Sequence, residues 1–567
     1  MSSAPHSAAP NPAIYYEPEG FSTNRTNLMG RHSATEGFLR GYLHNAGPLE
    51  RLYCYARAPE QATDFAARCQ HFGYQGEIVW LPMTDPASPA RAGILLRYDA
   101  VLGTQAWRRR RLSQRAYSLC GVTHTTAGGA IDSLVDLLTA PLQDWDALIC
   151  TSTCVRATVE QVLDEQSAYL AARFGASRFP RPQLPVIPLG INCADFSPDP
   201  GIRPRWRQEL GIGDQDIVFL FVGRLSFHAK AHPLPMYLGL EEAARRTGRT
   251  VHLIQAGWFA NESLEKAFRE GAALFCPSVK TLFLDGRQPD VRRHIWAASD
   301  VFISLSDNVQ ETFGLTPIEA MAAGLPVVVS DWDGYRETVR HGVDGFRIPT
   351  VMPPSPLGSD LIDHFAAGLD SYDRFCAYSS QLVAVDAAAV SEACIRLIAN
   401  PELRRQMGQA GQQRAQELYD WQVIIPRYQE LWRELTTRRI AGSESAPCPA
   451  GREPHPARPD PFAAFASYPT RTLGLDHQIA LIPGASLENA RRRITSPLAS
   501  FAQNRFLTEK QVAAILYHLA AHGACPAQAL VEAVATTPAE EAALFRGLVW
   551  LAKLHLISAT PPPGAPG

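Results

Sequence analysis

The most informative stretch of this chain is ETFGLTPIEAMAAGLPVVVSDWDGYRETVRHGVDGF, which runs from Glu311 to Phe346. It places two carboxylates, Glu311 and Glu319, eight residues apart across a loop-to-helix junction. The apolar run at 301–306 precedes Glu311. Glu311 is therefore predicted at the carboxyl end of a strand, where open α/β sheets bind ligands. Two surface glutamates on an ordinary crossover helix have the same spacing, so the neighbouring residues must decide between these interpretations.

The residues between the two glutamates are predicted to open a helix. Phe313, Gly314 and Leu315 precede the helical stretch 316–323. The free N–H groups and the dipole at a helix start favour an anionic phosphate. The segment therefore predicts a sugar-nucleotide site, in which Glu311 faces sugar hydroxyls and Glu319 faces a ribose on the far side of a diphosphate.

Four further segments flank or contain this stretch in a recognisable order. They are LPVIPLGINCADFSP at 184–198, IVFLFVGRL at 217–225, the donor-site half at 292–346 and the closing helices at 400–435. Together they resemble the retaining glycosyltransferases of family 4, also called glycosyl transferases group 1. The resemblance covers roughly residues 20–437 and is strongest from 184 onward. It implies an α/β protein of GT-B fold, with two facing Rossmann-like domains.

A cation is needed to meet the negative charge that grows on a departing nucleoside diphosphate. Arg224 follows Gly223 at the end of the strand IVFLFVG, and its planar guanidinium suits bidentate phosphate binding. The resemblance implies a second cation at Lys230. The loop RLSFHAKAH is about one residue longer than the family's, and Lys230 precedes Ala231 rather than a glycine. A solvated loop lysine is the alternative for Lys230.

Two first-domain residues are also candidates through the resemblance. The segment NLMGRHSATEGFLRGYL at 27–43 matches the family's glycine-containing loop against the diphosphate, with Gly30 as the backbone contact. Ser33 and Glu36 are predicted to cap the following helix. His124, in CGVTHTTA, matches a histidine at a strand end that faces the sugar. An ordinary turn glycine and a structural histidine are the alternatives.

Two Asp-x-Asp strings raise the question of a metal. Asp331 and Asp333 follow a predicted strand, whereas Asp144 and Asp146 precede one, and both strings are predicted to be structural turns. Arginine, lysine and a helix dipole already stabilise the leaving group. We therefore expect no metal and no cofactor other than the sugar-nucleotide donor. Retention of configuration is implied by the resemblance, with the departing phosphate taking the acceptor proton.

Composition bounds the partners and the location. The net charge of −3 over 567 residues argues against nucleic-acid binding. The eleven cysteines form no CxxC pair, which favours reduced thiols in a cytoplasmic protein. No apolar run reaches the roughly 18 residues of a membrane span. The basic run Arg108 to Arg111 is predicted either to contact anionic lipid at the inner face of the membrane or a phosphorylated acceptor, or to be a solvated helix face.

The chain is divided by pattern into five parts. They are a disordered tail (1–13), a first acceptor domain (14–200), a second donor domain (201–437) whose closing helix (421–437) crosses back, a Pro/Ala-rich linker (438–475) and a small helical module (476–567). The module resembles a winged helix, but its balanced charges argue against DNA, so protein contact or capping is expected. The insertion at 352–375 departs from the family and is expected to shape the cleft or contact a partner.

These observations predict a glycosyltransferase that moves a sugar from a nucleotide-diphosphate donor to an unknown acceptor. The acceptor is expected to be a glycan, a lipid-linked sugar or a small molecule, in bacterial-type polysaccharide, glycolipid or glycoconjugate synthesis. A sugar-nucleotide epimerase or hydrolase, and a donor-binding protein without transfer activity, are the alternatives.

Overall fold

The computed structural model describes residues 11–21, 30–197 and 201–562. They belong to two compact units, an N-terminal unit, Met1–His455, and a C-terminal unit, Pro456–Gly567. Most of the predicted disordered tail lies outside the described residues. Its last residue, Ala13, is fully buried in the first strand, so the first domain begins before the predicted Ile14.

The first domain is built on a six-stranded parallel sheet in the order β3-β2-β1-β4-β5-β6. The strands are β1 Ala13–Tyr15, β2 Arg51–Ala56, β3 Glu77–Pro82, β4 Ile94–Leu96, β5 Ser118–Val122 and β6 Ala147–Ile149. The helices are α1 Gly30–Asn45, α2 Pro59–His71, α3 Gly103–Arg109, α4 Ala130–Thr139 and α5 Thr153–Phe174. Its central strands are buried throughout, as expected for a parallel sheet covered on both faces.

The second domain repeats this strand order, as β12-β11-β10-β7-β8-β9. Its strands are β7 Ile217–Val222, β8 Val251–Gly257, β9 Lys280–Asp285, β10 Val301–Ser304, β11 Val327–Ser330 and β12 Gly345–Ile348. Its first helices are α6 Ile202–Glu209, α7 Leu234–Thr247, α8 Glu262–Phe275, α9 Pro289–Ala298, α10 Leu315–Ala322 and α11 Tyr335–Thr338. Both sheets have the Rossmann strand order, which confirms the prediction of two Rossmann-like domains.

The insertion predicted at 352–375 forms a helical hairpin. A two-stranded antiparallel pair, β13 Thr350–Val351 and β14 Ala384–Val385, closes its base. Between these strands lie α12 Ser359–Ala366 and α13 Tyr372–Gln381. After the hairpin, α14 Ala387–Ala399 and α15 Pro401–Leu418 complete the second domain.

Helix α16, Trp421–Ala441, returns to the first domain. Its aromatic residues share one apolar core with Phe38 and Tyr42 of α1. Gly190 gives the helix start its room, because a Cβ at that position would lie 2.6 Å from the Trp421 ring. The helix runs four residues past the predicted end at 437.

The predicted linker 438–475 is wrong in its first half. Residues 438–441 are helical, and residues 442–455 pack on the first domain. Arg110 donates to the carbonyls of Ala446 and Pro454, at 3.3 and 2.8 Å. His455 stacks on Trp107 with ring centroids 4.5 Å apart. The Pro-rich composition of this segment predicted a free linker. Composition alone gives no signal for hydrogen bonds between its carbonyls and distant side chains.

Internal contacts hold most of the basic run, and its predicted contact with lipid stays a prediction. Arg109 is 0% exposed and makes two bonds to Asp146, at 2.6 and 2.7 Å. Arg108 donates to the carbonyl of Met83, and Arg110 holds residues 442–455 as described above. Arg111 is exposed. Internal partners therefore use three of the four guanidinium groups.

The C-terminal unit combines helices with a small antiparallel sheet of order β16-β15-β17. Its strands are β15 Gln478–Leu481, β16 Cys525–Pro526 and β17 Ile557–Thr560. Its helices are α17 Pro461–Ala464, α18 Leu487–Ile494, α19 Glu509–His522, α20 Ala527–Val534 and α21 Pro538–Lys553. The sequence predicted a small helical module at 476–567, and the structure shows helices together with a sheet. A role in protein contact stays a prediction. None of the helices in the described parts of the chain has the length and apolar character needed to cross a bilayer.

Candidate active site

A cleft of about 690 Å³ lies between the two domains of the N-terminal unit. Gly30, at the start of α1, lines it from the first domain. The second domain contributes Gly223 and Arg224 after β7, Lys230 from the next loop, and Leu315 and Glu319 from α10. Parallel sheets bring their strand ends to one edge, which explains how residues distant in the sequence come to share one wall.

Lys230 and Glu311 form an ion pair beside this cleft, with Nζ 2.8 Å from Oε2. The Glu311 side chain is 13% exposed and that of Lys230 is 33% exposed. Burial acts to raise the pKa of Glu311, but the Lys230 ammonium and the N–H groups of Thr312 and Phe313 hold this pKa below its ordinary value. Glu311 is therefore a carboxylate at neutral pH, and Lys230 is not the solvated loop lysine of the alternative.

The longer loop before Lys230 is held against the residues that precede Glu311. The Asn308 side chain donates to the carbonyl of His228 at 2.8 Å. Ser306 Oγ donates to the carbonyl of Lys230 at 3.3 Å. These bonds position Lys230 despite the extra residue and the missing glycine.

Arg224 is half-buried at the end of β7. Its guanidinium donates weakly to the carbonyl of Ala229, at 3.4 Å. Among the described residues, no carboxylate lies within ion-pair distance of it. Burial lowers the pKa of Arg224, and nearby Asp373 and Tyr372 only partly oppose that effect. The site therefore presents a partly desolvated cation to the cleft.

Glu319 stands on α10, one turn into the helix. Burial raises the pKa of Glu319 to about 7, and the positive charge of Arg292 opposes this rise. The helix begins at Leu315, one residue before the predicted start, because Gly314 adopts φ +82° and a Cβ there would run into the Tyr335 ring. Phe313 is 2% exposed and packs on Tyr419, so only its backbone is available to a ligand.

Gly30 lies on the opposite wall of the cleft. Gly30 is the first residue of α1 and is exposed, whereas residues 27–29 of the predicted loop lie outside the described residues. Ser33 and Glu36 line the cleft from inside α1, so the prediction that they cap this helix is wrong. The helix starts earlier than the capping pattern suggested.

His124 follows β5 and meets the second domain through its backbone. Its ring stacks on Tyr98, with centroids 6.1 Å apart. Its carbonyl accepts a hydrogen bond from the Thr312 hydroxyl at 3.4 Å. The structure thus brings His124 next to the segment that carries Glu311.

Both Asp-x-Asp strings have structural contacts. Asp146 is the buried partner of Arg109. Asp333 adopts φ +46° in the turn after β11, and its carbonyl accepts from Cys154 of α5. Burial, with Glu311 nearby, raises the pKa of Asp333 to about 8. In the same turn region Glu337 accepts the Thr153 N–H at 2.6 Å, which joins the two domains.

Several cleft residues were missed by the sequence analysis. They are Arg40, Trp258, Arg292, Arg293 and Trp296. Arg40 pairs with Asp195 at 2.5 Å, and both residues line the cleft. Such residues lie on helices or loops without a fixed motif, so their spacing in the sequence gave no signal.

Comparisons with known proteins agree with the resemblance. Residues 202–354 match the family described as Glycosyl transferases group 1. The D-inositol 3-phosphate glycosyltransferase of Nocardia farcinica is 30% identical over 186 residues, which is 32% of this chain and 40% of that protein. The lipopolysaccharide 1,2-N-acetylglucosaminetransferase of Salmonella typhimurium is 25% identical over 199 residues, 34% of this chain and 50% of that protein. The chain thus spans half or less of the length of these two relatives.

A solved structure of Anabaena HepE in complex with UDP and glucose aligns with a TM-score of 0.48 at 15% identity, over 74% of this chain and 98% of that chain. The match over 202–354 is what confirms the resemblance to glycosyl transferases group 1, and the narrower assignment to family 4 stays a prediction.

Proposed function

We propose that this chain is a retaining glycosyltransferase that uses a nucleoside-diphosphate sugar. The observation that carries the proposal is the guanidinium of Arg224, which faces the cleft without a carboxylate partner among the described residues. A half-buried cation of this kind is stabilised when an anion binds. The neighbouring ion pair of Lys230 and Glu311 supports the same conclusion. Its cation suits the phosphate of a phosphate-linked sugar, and its carboxylate suits the sugar hydroxyls.

Each group then has one task in the reaction. The bond between the anomeric carbon and the phosphate oxygen breaks, and its electron pair stays on the diphosphate. Arg224 and Lys230 stabilise that charge. Glu311, held as a carboxylate, accepts hydrogen bonds from sugar hydroxyls. The acceptor oxygen bonds to the anomeric carbon on the face that the phosphate leaves, and the acceptor proton passes to the departing phosphate oxygen.

The nucleotide half of the donor is assigned to α10. This eight-residue helix starts at Leu315, which lines the cleft, and helix starts favour phosphate. Glu319 accepts from ribose hydroxyls. With two cations and a helix start to meet the leaving group, we propose that transfer needs no metal. Loss of transfer in EDTA with recovery on adding magnesium or manganese contradicts this part of the proposal.

The acceptor is assigned to the first domain, whose wall of the cleft includes Gly30 and which carries His124. The relatives named above act, by their names, on D-inositol 3-phosphate and on lipopolysaccharide. For this chain we propose an acceptor with a free hydroxyl, either a glycan, a lipid-linked sugar or a small molecule. A cytoplasmic location is supported by the eleven cysteines, all of which are free thiols.

A thermal-shift screen against UDP, GDP, ADP and their sugar conjugates tests the proposal. A ligand at 100 times its dissociation constant stabilises the protein by about 2.7 kcal/mol. We expect one nucleotide series to shift the wild type and Arg224→Ala to lose the shift, with Arg111→Ala as the control. Absence of any shift contradicts a nucleotide-sugar enzyme. Incubation of the selected donor without acceptor distinguishes the alternatives. Formation of epimer or of free sugar under this condition favours an epimerase or a hydrolase.

A further inference from the structure

The inserted hairpin of the second domain touches the first domain at one loop. A Cβ added to Gly128, which follows β5, would lie 2.6 Å from Tyr372 Cδ2 and 3.4 Å from Phe365 Cζ. Gly128 has φ +57°, in the left-handed region that glycine adopts readily. The absence of a side chain at Gly128 therefore lets the rings of the hairpin lie directly on the backbone of the first domain.

A polar contact accompanies this packing. The Tyr372 phenol lies beside the Thr125 side chain of the first-domain loop. Thr125 Oγ1 accepts the N–H of Ala127 at 3.3 Å, which fixes the loop. Burial raises the pKa of Tyr372 to about 12, so the phenol is neutral at pH 7. The same loop begins with His124, one of the candidate site residues.

The start of α13 lies near Arg224. Tyr372, Asp373 and Cys376 all act electrostatically on the Arg224 guanidinium. Cys376 is 0% exposed, so the helix is packed against its own domain at this position. The turn of α13 that packs on the first-domain loop therefore also lies near the cation of the cleft.

The hairpin has little core of its own. None of the eight side chains of α12, all of which lie in the described part of the chain, is buried. Inside the hairpin, Phe365 packs on Phe375 with ring centroids 5.2 Å apart. The contact with the Gly128 loop therefore adds to the buried Cys376 and Ser380 in holding α13 in place.

We propose that Tyr372 is a positioning residue, which joins α13 to the loop at 124–128 and thereby fixes Arg224 relative to the first domain. The inference rests on the proposed function. When the contact is made, Arg224 and the first-domain side of the cleft hold one geometry. Breaking the contact leaves the Arg224 cation in the cleft but lets its position vary. Transfer then slows, and hydrolysis of the donor gains on it.

The first experiment compares Tyr372→Ala and Tyr372→Phe with Tyr378→Phe, a control on the 46% exposed tyrosine of the same helix. The donor is the UDP, GDP or ADP sugar selected by the thermal screen. We expect Tyr372→Ala to lower kcat about tenfold, with a smaller change in KM, and to raise the ratio of hydrolysis to transfer. Tyr372→Phe keeps the ring on Gly128 and should recover most of kcat. Tyr378→Phe should match the wild type.

A double-mutant cycle of Gly128→Ala and Tyr372→Leu supplies a second test in case the alanine variant misfolds. We expect the two substitutions to act non-additively on kcat, since the methyl that Gly128→Ala adds clashes with the ring that Tyr372→Leu removes. Additive effects, or a Tyr372→Ala enzyme with unchanged kcat and hydrolysis ratio, overturn the inference. If Arg224→Ala still abolishes transfer in that case, the proposed function stands alone. If the wild type binds none of the three nucleotides and transfers none of their sugars, both fall.

Discussion

Arg109 and Arg224 are two arginines of the N-terminal unit with opposite surroundings. Arg109 is fully buried and makes two short bonds to Asp146, which also accepts the N–H groups of Leu119 and Gln143. Arg224 lines an open cleft and has only a weak bond to a carbonyl among its described contacts. Burying a charge is costly unless it is paired. The paired arginine therefore stabilises the fold, whereas the cation in the cleft is available to a ligand.

The largest effect is expected at the paired arginine. Arg109→Ala leaves Asp146 buried without its cation, and breaking a buried pair costs about 3–5 kcal/mol. Urea unfolding should show this loss in the free energy of unfolding. Arg111→Ala, at an exposed position two residues away, should stay within about 0.5 kcal/mol of the wild type. Equal stability of the Arg109 and Arg111 variants contradicts a stabilising role for the buried pair of Arg109 and Asp146.

The cleft arginine should show the reverse pattern. We expect Arg224→Ala to lower kcat about 100-fold to 1,000-fold, the range measured when one group that stabilises a developing anion is removed. The free energy of unfolding should change little, because no ion pair is broken among the described residues. Arg224→Lys keeps the charge but not the planar guanidinium that binds phosphate in a bidentate way, and should recover only part of kcat. A stability loss as large as that of Arg109→Ala makes Arg224 structural.

Glu311 should fall between these two arginines, because it is both paired and exposed to the cleft. Glu311→Gln keeps the shape but removes the charge that Lys230 and the sugar hydroxyls share. Hydrogen bonds to charged groups contribute about 1.5–3 kcal/mol, so kcat/KM should fall at least about tenfold. Glu265→Gln, in an exposed ion pair with Arg269 on α8, is the matched control. Wild-type kinetics in Glu311→Gln exclude its role at the donor sugar.

The smallest effect concerns pH. Burial raises the pKa of Glu319 to about 7, so this carboxyl binds protons in the folded state that it releases in the unfolded state. Stability from this group is present at acid pH and is lost as the pH rises from its ordinary value to about 7. Ribose hydroxyls bind the charged form better, so nucleotide affinity should rise a few-fold between about pH 6 and 8. Calorimetric titration should show a flatter profile in Glu319→Gln, and an unchanged slope contradicts the assignment.

Regular pattern made most of the second domain predictable. Apolar runs indicated β7, β10 and β11, and the helical stretch predicted at 316–323 matches the start of α10 within one residue. The same reasoning failed for Ser33 and Glu36, whose capping pattern lies inside α1. It also failed for residues 442–455, because the bonds from Arg110 join positions more than 300 residues apart in sequence. Local patterns report local structure, and these contacts are not local.

From the sequence alone, alternating strands and helices predicted two parallel α/β domains, with Arg224 and Glu311 at strand ends and Glu319 in the helix that follows. Strand periodicity and helix starts are properties of neighbouring residues, so they can be read along the chain. The tertiary structure was needed to show which arginines are paired, that Lys230 bonds to Glu311, and that Tyr372 lies on Gly128. Each of these depends on the distance between groups far apart in sequence, and only folding sets that distance.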